Sequence, residues 1–232
     1  MIKKVRQQGL ADCANTAGNN KGSAFMEVFW KHLMTIAAQP NSIFALAAVL
    51  LMVLGGIYLR RIKLTTSMLV YIGLMLAVSI VLEQLRLFRM PQGGSITLGA
   101  MLPLLFISYR YGLQVGCLTG FLYGIINLLL SPYIVHPLQV LFDYPFPFMA
   151  LGLGALWPAH RYASTLLAFV VRFTCHVISG VVFFASYAPA GISPLVYSLT
   201  FNATYMLPEC AICFILLKLL PVSQLLTAMD RR

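Results

Sequence analysis

The sequence predicts an all-α, polytopic membrane protein, on three observations. Its 232 residues are 60% hydrophobic and only 9% charged, whereas a soluble domain carries about 25% charged and about 45–50% apolar residues. Such a chain cannot cover its own surface with polar groups in water. Its apolar residues fall in long runs between short turn-rich links, and a spanning helix needs about 20 predominantly apolar residues. Its basic residues fall on the links, mostly on one side of the alternation, as the cytoplasmic preference of Lys and Arg requires. That preference also accounts for the net charge of +10, from sixteen Lys and Arg against six Asp and Glu. A nucleic-acid partner is not expected, because the basic residues sit between apolar stretches. The same composition excludes disorder, a collagen-like fibre and a disulfide scaffold.

Taken in order, residues 1–25 are polar, with Lys3, Lys4, Arg6 and Lys21 but no apolar run directly after the charges. A signal peptide needs that run, so a disordered tail is expected, with Met26 as a second candidate translation start. Residues 26–63 form an additional N-terminal hydrophobic segment, apolar over 40–59, and a basic link. Residues 64–220 hold six further apolar stretches, roughly 65–87, 96–109, 112–131, 137–157, 164–187 and 195–219. The stretch 96–109 is short, so tilt or a break is expected there. Residues 221–232 are expected to be a cytoplasmic tail. With Arg60, Arg61 and Lys63 inside, Arg110, Arg161, Lys218, Arg231 and Arg232 fall on the same side, while Arg86 and Arg89 fall outside. The segment 40–59 does not fit that alternation, because one extra span puts the basic N-terminus outside.

An ionisable group in the bilayer costs at least about 2.5–3.5 kcal/mol at the centre of a helix, and so needs a reason. Glu83, Asp143, Arg172, His176 and Glu209 are the candidates. Glu83 is expected at the solvated outer interface, and Glu209, after Pro208, against a neighbouring helix. Asp143 stands in HPLQVLFDYPFPF beside Tyr144. A carboxylate among aromatic rings suits a small organic cation, which the charge neutralises and the rings cover. The competing reading is an ion pair with Arg172 that only packs helices. In the next segment Arg172, His176, Gly180 and Phe184 recur every four residues, along one slowly drifting helical stripe. His176 offers hydrogen bonds and a flat ring, Gly180 allows close approach, and Phe184 offers a ring to cap a heterocycle. Tyr197 and Asn202 lie about 140° apart on a regular helix, so both reach one pocket only if the helix begins near one of them.

Metal and cofactor sites are not expected. Cys210 and Cys213 form a C-x-x-C without a second ligand pair, and read as two small apolar residues on one helix face. The sequence lacks H-E-x-x-H, G-x-S-x-G and a phosphate-binding loop. Gly116, Gly120 and Gly124, and the pair Gly73 and Ala77, have the spacing of small residues that let membrane helices approach closely.

Residues 68–220 resemble the thiamine-specific S components of energy-coupling-factor transporters, the six-helix vitamin carriers of bacterial plasma membranes. The motifs that carry the resemblance are MPQGGSITLGAMLP, YRYG, GFLYGI, YIVHPLQVLFDYPF, HVISGVVFFASYAP and VYSLTFN. The resemblance implies a six-helix bundle with a pocket near the outer face, closed by the loop after the first family helix. It implies thiamine binding by Asp143, Tyr144, Tyr133, His176, Gly180, Phe184, Tyr197 and Asn202. It also implies docking of a transmembrane coupling subunit, with two ATPase subunits, at Gly73 and Ala77. Some members close the site with a Trp where this chain has Gly93, Gly94 and Ser95, which leaves Phe88 or Met90 as the substitute. The chemistry agrees: thiamine joins a permanently cationic thiazolium to an aminopyrimidine. Two alternatives remain at this stage. One is an S component for another vitamin or a thiamine precursor. The other is an intramembrane enzyme that uses Asp143 and His176 as an acid–base pair.

Overall fold

The computed structural model describes residues 62–90 and 93–229. The expectations for 1–25, for 40–59 and for its crossing lie outside these residues. Helix α1, Thr66–Gln84, starts where the Thr65 hydroxyl accepts from the Met68 amide at 3.3 Å, which satisfies one of the free N–H groups of the first turn. It buries a single stripe, Ile72, Leu76, Ser79 and Glu83. Leu69, Val70, Leu74, Val78 and Val81 face outward, as on a helix in lipid. Strands β1, Arg86–Arg89, and β2, Ser95–Thr97, then pair antiparallel with Phe88 opposite Ile96. The apolar stretch 96–109 therefore begins in a strand, and helix begins only at Leu102.

The helical run Leu102–Leu130 is two helices, α2 (102–111) and α3 (113–130), which meet at Gly112 with φ +87° and ψ 178°. A Cβ added to Gly116 would strike the Ser108 hydroxyl. Eight residues of continuous helix would separate those positions by about 12 Å, so the chain turns back on itself at Gly112. The turn separates 96–109 from 112–131, and the break within 96–109 is the change from strand to helix before Leu102.

Residues 137–155 make one broken pass, which Pro137 opens and Pro145 interrupts. It consists of α4 (Pro137–Asp143), α5 (Pro145–Met149) and a tighter turn of helix, Ala150–Ala155. This pass runs antiparallel to α3. Cβ atoms at Gly116, Gly120 and Gly124 would meet the backbone of Gly152, of Phe148 and Met149, and of Tyr144 and Pro145 in turn. The glycine stripe is thus a helix-packing face, as its spacing indicates.

Helices α6, Arg161–Phe183, and α7, Pro194–Leu219, are long and complete the bundle. Among the described residues, four helical stretches are long and apolar enough by length and composition to cross a membrane: Thr66–Gln84, Leu102–Leu130 (the α2–α3 pair taken together), Pro158–Phe183 and Pro194–Leu219. Within 221–232, Val222–Ala228 form α8, whose Val222 and Leu226, with Met229 beyond, join the core.

Candidate functional site

Asp143 ends α4, one residue before the chain is redirected by the Tyr144–Pro145 junction. Its carboxylate is held from two sides. The Gln139 side-chain amide donates to Oδ2 at 2.5 Å, and His176 Nδ1 lies 3.4 Å from Oδ1. Gln139 is one turn upstream and 1% exposed, with every polar atom engaged. Its second amide hydrogen reaches the Tyr133 carbonyl at 3.0 Å, and its oxygen accepts from the Val135 amide at 3.0 Å. The Tyr144 hydroxyl also braces the 131–136 link, accepting from Tyr133 N at 2.8 Å and donating to the Ser131 carbonyl at 3.0 Å.

Helix α6 brings His176 and Gly180 to the same space, and Phe184 follows at its C-terminal cap. His176 Nε2 is buried without a hydrogen-bond partner, so that nitrogen is free for a ligand. Gly180 supplies closeness: a Cβ there would strike the Ser198 hydroxyl and sit 3.5 Å from Asn202 Nδ2. The Phe184 ring stacks on Tyr133 at 5.9 Å between centroids with a 21° interplanar angle, and leans on Tyr187 at 5.8 Å.

Helix α7 begins at Pro194 after the Ser193 cap, so Tyr197 lies in its first turn and Asn202 at the start of its third. That placement meets the condition set by their spacing, and both line one cavity. Asn202 is fixed on both sides. Its Nδ2 donates to the Ser198 carbonyl at 2.9 Å, and its Oδ1 accepts from the Tyr205 hydroxyl at 2.6 Å.

Tyr133, Asp143, Tyr144, His176, Gly180, Phe184, Tyr197 and Asn202 thus line one partly open cavity, together with Gly93, Gly94, Gln139, Ser198, Phe201 and Tyr205. Its few convergent polar groups amid rings suit a small heteroaromatic ligand. Gly73 and Ala77 lie elsewhere, on the outward face of α1, and a Cβ at Gly73 would have no neighbour within 4 Å.

Three expectations change. Glu83 is not solvated: it is 8% exposed, accepts from Ser95 Oγ at 3.0 Å and Tyr123 Oη at 3.3 Å, and lies 3.6 Å from Arg86 Nε. Arg172 is not the partner of Asp143. Its guanidinium lies 4.5 Å from the Phe148 ring centroid, with Nε and Nη1 unpartnered, against a polar chamber that adjoins the cavity. Neither Phe88 nor Met90 lines the cavity beneath Gly93 and Gly94. Phe88 is 55% exposed, and the ring under Gly94 is Tyr205, 2.8 Å from where a Cβ would be.

Sequence reasoning missed Gln139, Ser198, Phe201 and Tyr205. Two of the signals were present: Gln139 is four residues before Asp143, and Ser198, Asn202, Tyr205 and Glu209 recur at helical spacing and are all buried.

Comparison with known proteins points the same way. Residues 69–228 match the family described as thiamine transporter protein (Thia_YuaJ). The chain is similar to the thiamine transporter ThiT of Bacillus subtilis, with 37% identity over 171 residues, 66% of this chain and 88% of that protein. It is also similar to ThiT of Lacticaseibacillus paracasei, with 30% identity over 122 residues, 44% of this chain and 61% of that protein. The solved structure of ThiT from Listeria monocytogenes superposes with a TM-score of 0.60 at 22% identity, covering 68% of this chain and 93% of that one. That last likeness bears on the fold. From the family match and the Bacillus relative together, the chain belongs to the thiamine transporter family.

Proposed function

We propose that this chain is the substrate-binding membrane subunit of a thiamine uptake system, a multi-pass protein of the bacterial plasma membrane. The observation that carries the reading is the Asp143 carboxylate, held by Gln139 and His176 at the wall of an aromatic cavity. The carboxylate balances the thiazolium charge, and rings such as Phe184 and Tyr133 cover flat heterocycles. His176 Nε2 and the Asn202 amide offer hydrogen bonds to the aminopyrimidine. The family is one of transporters, so the Asp143–His176 pair is not read as an enzyme's acid–base dyad.

The six-pass unit 64–220 forms the thiamine-binding domain, and 26–63 is an addition to it. The sequence has no nucleotide-binding motif, so accumulation against a gradient draws on a separate ATP-driven module with a transmembrane coupling subunit and two ATPases. Gly73 and Ala77, on an exposed apolar face, suit the close approach of a helix of that subunit. Titration of purified protein with thiamine, riboflavin, biotin and the aminopyrimidine precursor tests the reading. Thiamine is expected to bind tightly and the other two vitamins not at all. Absent or equal responses would overturn the substrate assignment.

A further inference from the structure

Thr97 and Glu209 are 1% and 3% exposed; neither lines the aromatic cavity, and both line the polar chamber that adjoins it. Glu209 stands in the middle of α7, directly after Pro208, where a carboxylate in lipid needs strong partners. Both of its oxygens are taken by one residue. Oε2 accepts from the Thr97 amide at 2.6 Å and Oε1 from the Thr97 hydroxyl at 2.6 Å. The same hydroxyl accepts from the Ala100 amide at 3.0 Å, which ties the strand to the turn before α2.

This contact is the central rung of a ladder. Gly94 lies on the Tyr205 ring, Thr97 on Glu209, and Gly99 on Leu216. The three α7 positions, 205, 209 and 216, lie on one helical face. The chain segment 94–99 is therefore strapped along α7, with its outer end over the cavity. That end fits because Gly94 has φ +86° and no side chain to meet the ring. The ring in turn positions the ligand-facing amide, through Tyr205 Oη to Asn202 Oδ1. A second tie, Ser95 Oγ to Glu83 Oε1 at 3.0 Å, secures the neighbouring residue to α1.

We propose that Glu209 and Thr97 form a clasp that holds segment 93–97 shut over the cavity, and that Glu209 is a positioning residue for ligand retention. The proposal rests on the thiamine-binding reading above. Glu209 acts through Thr97 and Gly94 rather than by touching ligand. Weakening the clasp lets the segment lift more often, which speeds escape and does not slow entry.

The test measures thiamine association and dissociation rates on the full chain in detergent, for wild type, Glu209→Gln, Thr97→Val and Thr97→Ser. Glu209→Gln keeps the volume but loses one acceptor. Thr97→Val removes only the hydroxyl. Loss of a hydrogen bond to a charged group changes an equilibrium by about ten- to a hundredfold. Dissociation is expected to rise about tenfold or more in both variants, with association no slower than in wild type. Thr97→Ser, which keeps both donors, should behave as wild type. Folded variants that release thiamine at the wild-type rate overturn the clasp. So does an affinity loss carried by association, or loss of binding together with the folded state in both variants. Wild-type protein that does not bind thiamine overturns instead the substrate reading on which the proposal stands.

Discussion

Replacing Asp143 by Asn removes one negative charge from the cavity wall and hardly changes the side-chain volume. The neighbours tolerate the exchange, because the Gln139 amide can still donate to the Asn oxygen where it now meets Oδ2. The loss therefore falls on a cationic ligand. Two opposite charges at about 4 Å attract by about 4 kcal/mol at an effective dielectric of about 20, and hydrogen bonds to charged groups contribute about 1.5–3 kcal/mol. The Asp143 side chain keeps 19% of its exposure, so water screens part of the attraction and the lower range applies. Thiamine affinity should fall by about ten- to a hundredfold. Calorimetric titration of wild type and variant with thiamine, and with its neutral aminopyrimidine half, separates charge from shape. The neutral fragment should lose less than about threefold, and Asp143→Glu should recover most of the thiamine affinity. Equal losses for the cation and the neutral fragment would refute the electrostatic argument and leave Asp143 as a residue that only organises Gln139 and His176.

Gly73→Trp or Ala77→Trp should abolish radiolabelled thiamine uptake in cells containing the coupling subunits, while binding to the purified variant persists, because both residues lie on the outward face of α1 away from the cavity. Gly180→Val should weaken binding by about tenfold or more on titration, since even its Cβ would displace the Ser198 hydroxyl beside Asn202, and overpacking typically costs about 1–3 kcal/mol. Gly112→Ala meets no neighbour within 4 Å, so its cost is conformational, about 1–3 kcal/mol for a Cβ at positive φ with extended ψ, and should show as a lower Tm with thiamine affinity unchanged. Gln139→Leu should reduce thiamine affinity by about tenfold, and the reduction should shrink when Asp143 is already Asn, because Gln139 acts on the ligand through that carboxylate.

Much of the bundle was legible because lipid makes the pattern coarse: each pass from 65 to 219 appears as an apolar run, and Gly112 and the prolines of 137–147 mark where runs break. The α6 stripe of His176, Gly180 and Phe184 was legible because a single helical period carries it. What escaped is what depends on partners distant in sequence. Nothing local to Glu83 says that Ser95 and Tyr123 will enclose it, and its place at a helix end suggests water. Tyr205 reads as one more aromatic in an apolar helix until Gly94, more than a hundred positions away, settles on its ring. Short β pairing at 86–97 escaped for a different reason, since Arg86, Arg89, Pro91, Gly93 and Gly94 make the segment read as a polar, turn-rich loop.

The shortness of α2 has a consequence for how the protein enters the bilayer. Ten residues of helix, 102–111, rise about 15 Å, half of a hydrocarbon layer about 30 Å thick. Such a helix does not partition as an independent span. The strand segment that precedes it then reaches into the depth of the layer, where backbone groups have no water to bond and are tolerated only when protein satisfies them. For Thr97 the satisfying group is Glu209, which belongs to the last long helix to leave the ribosome. The second pass therefore reaches its final seat only after the sixth has been made, and until then the nascent chain carries an unfinished, polar edge on its outer side.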